Sequence, residues 1–330
     1  MRVLPRLLTW HDICIYYFQE LSKREPKIFK KEIAAMLKAA ANAKMVKKTI
    51  TLNNGVEMPM VGFGTYQITD PEVCAETVSN AIKVGYHLID AAPAYGNELY
   101  VGEGIRRSGI KREDLFVTSK VWFTQFEPEQ TRKSVMTSLE RLGLDYLDLV
   151  LLHWPFGNVY GAWRTLEDLY AEGKIRAIGV SNFAASQLVD LITYNKVVPA
   201  VNQIETNLLC QQFDLRKWMD KYNVAHQAYA PFGQGIANEM FSDPRVIEVA
   251  EKYGKSTRQV ALRYMIQRGI GVVPKSNHVE RMKANLEIFD FELSEEDMEK
   301  LRSMDRGQNL IFHSQAPETV EIATTWPYYD

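Results

Sequence analysis

Residues 88–98 read LIDAAPAYGNE. A short apolar strand, 87–90, is expected to end at Asp90. Four small residues follow, and Tyr95 stands just before Gly96. Strands this short and apolar suit a parallel sheet buried on both faces. A carboxylate at the end of such a strand, with a phenol five positions on, can place the two groups together at the rim of that sheet.

Working outward, the pattern alternates. Upstream, Asp70-Pro71-Glu72 reads as a helix start, with Asp as cap, Pro at the first helical position and an acid in the first turn. Cys74, Val78, Ala81 and Ile82 share one helical face, and Gly85 ends the helix. Downstream, a helix runs from Asn97 to Arg107. Its Gly102 and Gly104, with Gly109 beyond its end, read as loosely packed positions. Further strands are expected over 115–119, 147–152, 175–180, 200–204, 224–228 and 270–273. Helices are expected over 128–142, 162–171, 185–194, 213–222, 244–253, 257–267 and 279–288. A strand ending at Gly62 or Phe63 opens the series. Eight strand–helix units close into a (β/α)8 TIM barrel of the α/β class. A doubly wound open sheet is the runner-up, weakened by the absence of a composition break between halves. The preceding TITLNNGVEMPMVGF, 49–63, reads as a hairpin turning at Asn53-Asn54-Gly55, because Asn-Gly tolerates the positive φ of a tight turn.

Composition narrows the function classes. The chain has 330 residues, 46% hydrophobic and 24% charged, with a net charge of −2. That balance gives no reason to expect nucleic acid or an acidic membrane surface as partner. Three cysteines, Cys14, Cys74 and Cys210, form no CxxC, so neither a disulfide framework nor a cysteine zinc site is supported. No run approaches the roughly 20 apolar residues of a membrane span. A cytoplasmic monomer is the expectation. Residues 1–44 stand apart, with nine basic residues against four acidic ones. They are expected to be an accessory or mis-assigned leader, with 45–330 as the working domain.

Polar residues at the C-terminal ends of barrel strands read as catalytic. The second strand ends in Asp90, the third in Lys120, the fourth in His153, the fifth in Ser181-Asn182 and the sixth in Gln203. The seventh ends in Tyr229, and the eighth runs into Lys275-Ser276. Singly, each has a dull explanation: His153 as a satisfied core histidine, Asp90 and Lys120 as a structural ion pair. Together, on one rim, they form a site. A phenol is a poor acid–base catalyst at neutral pH, and a nearby ammonium lowers its pKa. Lys120 can be that cation, held charged by Asp90, while His153 hydrogen-bonds a substrate oxygen. Such a set can protonate a carbonyl oxygen as charge develops on it. His153 lacks the neighbours a metal site needs. The electrons are then expected from a cofactor, most simply as hydride.

Gly62-Phe63-Gly64-Thr65 is only a fragment of a dinucleotide fingerprint. Val272–Asn285, VVPKSNHVERMKAN, is the better candidate, because Lys275 and Arg281 flank Ser276 and a helix start suited to a phosphate monoester. A solvated basic loop is the competing reading. Tyr66, Trp122, Phe123, Trp154 and Phe232 each adjoin a rim motif and are expected to line a substrate pocket.

These motifs resemble the aldo-keto reductases. The shared stretches are GFGTYQ at 62–67, LIDAAPAYGNE at 88–98, VTSKVW at 117–122, LLHWP at 151–155, IGVSNF at 178–183, VNQIE at 201–205, QAYAPFG at 227–233 and VVPKSNHVERMKAN at 272–285. The likeness is to a microbial branch with 2,5-diketo-D-gluconate reductases and broad aldehyde or methylglyoxal reductases. It implies a barrel closed below by the hairpin and covered by a C-terminal loop. It implies a tetrad of Asp90, Tyr95, Lys120 and His153, with Tyr95 as general acid. Ser181, Asn182 and Gln203 would hold the nicotinamide carboxamide, Tyr229 would stack on the ring, and Gly64 and Thr65 would approach the cofactor. Lys275, Ser276, Arg281 and Asn285 would bind an adenosine 2′-phosphate, which points to NADPH over NADH. Ala91, Ala230 and Ala284 depart from the family pattern. The implied activity is reduction of aldehydes, ketones or dicarbonyls. A cofactor-binding scaffold of the same fold is the alternative, and a Schiff-base lyase or isomerase using Lys120 is a third.

Overall fold

The computed structural model describes residues 48–323, 325, 326 and 328. The expected leader, 1–44, lies outside them. A hairpin of β1 (Thr49–Thr51) and β2 (Glu57–Pro59) comes first. Gly55 takes φ +86° in its turn, where an L side chain would be strained. Eight parallel strands then alternate with helices. They are β3 (Phe63–Gly64), β4 (Leu88–Asp90), β5 (Phe116–Val121), β6 (Leu149–Leu152), β7 (Ile178–Ser181), β8 (Val201–Glu205), β9 (Ala225–Tyr229) and β10 (Gly271–Val272), paired in sequence order. The last strand closes on the first. Val61 bridges Val272, the Gly62 N–H donates to the Val272 carbonyl at 2.8 Å, and the Val272 N–H to the Met60 carbonyl at 2.7 Å. The result is the (β/α)8 barrel. A closed sheet leaves no edge with unpaired backbone groups.

The first half of the helical ring comprises α1 (Pro71–Lys83), α2 (Glu98–Ser108), α3 (Pro128–Leu142) and α4 (Val159–Ala171). It continues with α5 (Ala185–Tyr194), α6 (Phe213–Lys221), α7 (Ala237–Ser242), α8 (Pro244–Tyr253), α9 (Thr257–Gln267) and α10 (Val279–Leu286). Helices α11 (Glu295–Arg302) and α12 (Pro317–Ala323) follow the last unit. Asp70 caps α1 by accepting the Val73 N–H at 2.9 Å, with Pro71 in the first turn. Helices α7, α11 and α12 are additions to the sequence expectation. For α11 the signal was present: Ser294 accepts the Asp297 N–H as cap, with acids in the first turn. It lies outside the strand–helix alternation that organised the reading.

The hairpin does close the bottom. Met58 and Leu52 are buried among Leu88, Phe116, Leu149, Leu151, Ala177 and Val201. Asn53 and Asn54 donate to the carbonyls of Pro199 and Arg176, just ahead of β8 and β7. Two expected strands end later than read. β5 runs to Val121 instead of 119, and β8 is shifted by one residue, to Val201–Glu205.

One expectation is reversed. Gly102 and Gly104 are not loosely packed. A Cβ on Gly102 would sit 2.6 Å from the Leu142 carbonyl oxygen, and one on Gly104 would sit 2.6 Å from the Ala75 carbonyl oxygen. The glycines let α2 wedge between α1 and α3, and α2 begins directly after the loop that carries Tyr95. Helix propensity alone would make Gly102→Ala stabilising by about 0.8–1 kcal/mol. Overpacking against rigid backbone costs about 1–3 kcal/mol. Urea unfolding of Gly102→Ala is therefore expected to show a net loss of stability. A gain would mean that α2 can move away from α3.

Candidate active site

Three consecutive devices place Tyr95. Strand β4 delivers Asp90 to the rim, the Ala91 N–H bonds back to the Thr118 carbonyl on β5, and a 3-10 turn over Pro93–Tyr95 reverses the chain. Gly96 ends that turn at φ +65°. Asn97 then donates to the carbonyls of Thr65 and Ile68, tying this loop to the one after β3.

Lys120 is the centre of the constellation. Its ammonium, on a residue only 1% exposed, donates to Asp90 Oδ1 at 2.6 Å, the Ala91 carbonyl at 3.1 Å and Tyr95 Oη at 3.1 Å. Burial pulls its pKa down, but the charge of Asp90, the Tyr95 phenol and their hydrogen bonds outweigh that, and the net shift is upward. Lys120 is an ammonium across neutral pH. For Tyr95 the balance differs from the sequence expectation. Burial raises its pKa most, the Lys120 charge lowers it, and the net shift is upward. Tyr95 therefore holds its proton at neutral pH and is a donor, aimed by Lys120.

His153 meets Tyr95 edge-on at 5.8 Å between ring centroids and Trp122 at 5.0 Å. Its Nδ1 is buried without a hydrogen-bond partner, so Nε2 is the nitrogen that reaches the cavity. We assign the proton to Nε2, which leaves only an acceptor unpartnered. Burial first, and the Lys120 charge second, hold its pKa well below 6.5. The ring is neutral.

These groups open on a cavity of about 540 Å³. Gly64, Asp90, Tyr95, His153, Ser181, Asn182, Gln203, Tyr229 and Lys275 line it, with Tyr66, Trp122, Trp154 and Phe232 as aromatic wall. Phe123 stands one layer back, packed at a tilt of 39° against Trp122 with ring centroids 4.8 Å apart. Thr65 is fully buried and donates to the Asp90 carbonyl. Lys275 and Arg281 are exposed, and neither has an ion pair among the described residues. Ser276 is buried beside the start of α10, where its hydroxyl accepts the His278 N–H, and Asn285 is buried on that helix. Ser276, Arg281 and Asn285 lie off the cavity wall.

Several partners were not legible. Gln203 Nε2 donates to Asp90 Oδ2 at 2.7 Å and to Gln227 Oε1 at 2.8 Å. No local pattern could show the first bond, because 113 positions separate the two residues. Glu98, buried on α2, accepts from Ser119 at 2.6 Å and Ser138 at 3.2 Å, directly behind Lys120. Tyr229 donates to Asn182 Oδ1 at 2.7 Å. Among the described residues no cluster of three His, Cys, Asp or Glu side chains could hold a metal. No helix there is long and apolar enough to cross a membrane.

Residues 60–306 match the Aldo/keto reductase family. The chain belongs to that family. It is 43% identical over 266 residues to the glyoxal reductase of Bacillus subtilis, covering 80% of this chain and 95% of that one. It is 44% identical over 262 residues to an uncharacterized oxidoreductase, YtbE, of the same organism, covering 78% and 92%. Among solved structures, an aldo-keto reductase from a Medee basin deep-sea metagenome library superimposes with a TM-score of 0.79 at 40% identity, covering 81% of this chain and 98% of that one. The family's chemistry is reduction of small carbonyl compounds with a nicotinamide cofactor.

The donor set of this aldo/keto reductase fits such a cofactor. Both amide protons of Gln203 are taken by Asp90 and Gln227. Its Oε1 is left to accept from a carboxamide at the cavity wall. A Cβ at Gly64 would lie 2.9 Å from the Val273 carbonyl oxygen, so only glycine allows the chain at the ends of β3 and β10 to approach this closely.

The neutral His153 has a consequence for stability. A histidine whose folded pKa lies below the unfolded value contributes stability above pH about 6.5 and loses it as pH falls. Urea melts of wild type and His153→Asn are expected to converge on acidification, by up to about 1.4 kcal/mol per pH unit below pH 6.5. A constant gap from pH 7.5 to 5 would show that His153 takes up its proton while folded.

Proposed function

We propose that this reductase uses NADPH to reduce aldehydes and dicarbonyls, with Tyr95 as proton donor. The observation that carries this reading is the Asp90–Lys120–Tyr95 chain at the floor of an aromatic cavity, with neutral His153 alongside. When bound, the reduced nicotinamide supplies hydride to the carbonyl carbon. Everything else is done by the chain's own groups. His153 Nε2–H and the Tyr95 hydroxyl orient the carbonyl oxygen. Tyr95 transfers its proton as charge develops there, and the Lys120 ammonium stabilises the phenolate left behind. Asp90 keeps Lys120 charged at each stage, and Gln203 fixes the second carboxylate oxygen. The aromatic wall excludes water and leaves few polar groups unpaired against an apolar substrate.

NADPH is favoured over NADH by charge. Lys275, Arg281, the Ser276 hydroxyl and the free N–H groups of α10 offer a phosphate monoester what a ribose hydroxyl does not need. Among substrates, glyoxal-type dicarbonyls are supported by the named relative, and 2,5-diketo-D-gluconate, with separate ketones at C2 and C5, offers the same reaction a single carbonyl at a time.

Two measurements test the reading. Tyr95→Phe is expected to lower kcat for methylglyoxal with NADPH by at least about 100-fold, in the range of a lost general acid, with cofactor affinity retained. Full activity in that variant would remove Tyr95 from the mechanism. Lys275→Met/Arg281→Met is expected to raise KM for NADPH at least about tenfold, the scale of one lost charge-assisted contact, and to leave NADH unchanged. Equal effects on both cofactors would place the 2′-phosphate elsewhere.

A further inference from the structure

The aromatic wall is not supplied by the barrel alone. Phe312 and Trp326 also line the cavity, and both lie beyond the residues that match the family. Trp326 packs on Trp154 at 5.0 Å and Trp122 at 6.1 Å, while Phe312 meets Trp154 at 5.6 Å and Trp326 at 5.4 Å. Ala323 at the end of α12 is buried in the same cluster. The chain beyond the last strand–helix unit must therefore hold two rings in place against Trp154.

The side chain that anchors it sits inside the barrel rim. Glu205 ends β8 two residues beyond Gln203, on the same face of the strand. It is fully buried and forms no ion pair with any described residue. Its carboxylate instead accepts the backbone N–H of Leu310, at 3.1 Å to each oxygen, and of Ile311 at 3.0 Å. Gln212 supports the same point, donating to the Glu205 carbonyl at 2.9 Å and to Asn309 Oδ1 at 3.0 Å. A buried carboxylate satisfied chiefly by main-chain donors of a distant segment is costly unless that segment stays in place. The next residue along is Phe312.

We infer that Glu205 is a positioning residue for substrate selection. By gripping the backbone of 310–311 it fixes Phe312 and Trp326 over Trp154, and so favours flat aromatic aldehydes over small dicarbonyls beyond what the barrel wall provides. The inference rests on the carbonyl-reductase reading above. It extends that reading from the tetrad to a residue that touches neither cofactor nor substrate.

Glu205→Gln keeps the shape and removes one acceptor oxygen. With NADPH, its kcat/KM for 4-nitrobenzaldehyde is expected to fall about tenfold through KM, while that for methylglyoxal stays within about twofold, the scale of one lost apolar contact. Leu310→Pro removes a donor from the other side of the contact, leaves the buried carboxylate in the barrel and is expected to give the same pattern. Glu205→Asp, which keeps the charge, is expected to recover part of the loss. In Phe312→Ala/Trp326→Ala the preference is already gone, and adding Glu205→Gln is expected to change nothing further. Chymotryptic cleavage after Phe312 is expected to accelerate in Glu205→Gln, with the far-ultraviolet spectrum unchanged. Equal losses for both aldehydes, or an additive loss in the triple variant, would overturn the inference. So would wild-type cleavage rates in Glu205→Gln. If wild type reduces neither aldehyde with either cofactor, the carbonyl-reductase reading fails, and the cleavage rates alone decide whether Glu205 anchors the segment.

Discussion

A lysine ammonium is held almost without solvent between a carboxylate and a phenol, and most of the upper rim serves that contact. Taking a charge out of water costs several kcal/mol unless it is paired and hydrogen-bonded. Lys120 has all three of its donors occupied, by Asp90, the Ala91 carbonyl and Tyr95. Asp90 is occupied in turn by Lys120 and Gln203, and Gln203 by Asp90 and Gln227. Each group in the chain is satisfied by the next, so the loss of any one leaves a buried neighbour without its partner.

The fold places these groups without further adjustment. β4 and β5 are adjacent and parallel, with Asp90 opposite Thr118, so Lys120 lies two residues further towards the same rim. The 3-10 turn over Pro93–Tyr95 brings the phenol back over Lys120. Close helix packing behind it, at Gly102 and Gly104, fixes where α2 starts and hence where that turn ends. The bottom of the barrel, plugged by Met58 and Leu52, is apolar and does none of this chemistry. Rigidity below and polarity above follow from one alternation of side chains along short strands.

Much of this could be read from the chain. Strand ends at Asp90 and His153 are visible because apolar runs stop there, and helix starts at Asp70 and Pro128 carry their own caps or prolines. The tetrad was legible as residue types at one rim. Three things were not. The bond from Gln203 to Asp90 joins strands far apart in sequence. The role of Glu205 needs the tail's backbone, which has no side-chain signature. The sign of the Tyr95 shift depends on how far burial outweighs the ammonium, and no spacing of letters contains that balance. Gly102 was misread for a related reason, because sequence shows the missing side chain and not the carbonyl that fills its place.

Burial keeps the proton on Tyr95, while Lys120 restrains the rise in its pKa. Titration of ring-labelled tyrosine by carbon NMR, with Tyr95 assigned from Tyr95→Phe, measures this directly. Tyr95 is expected to stay protonated past the ordinary phenol pKa of about 10 in the cofactor-free protein, and to ionise at still higher pH in Lys120→Met. Ionisation near neutral pH, or a titration unaffected by Lys120→Met, would contradict it.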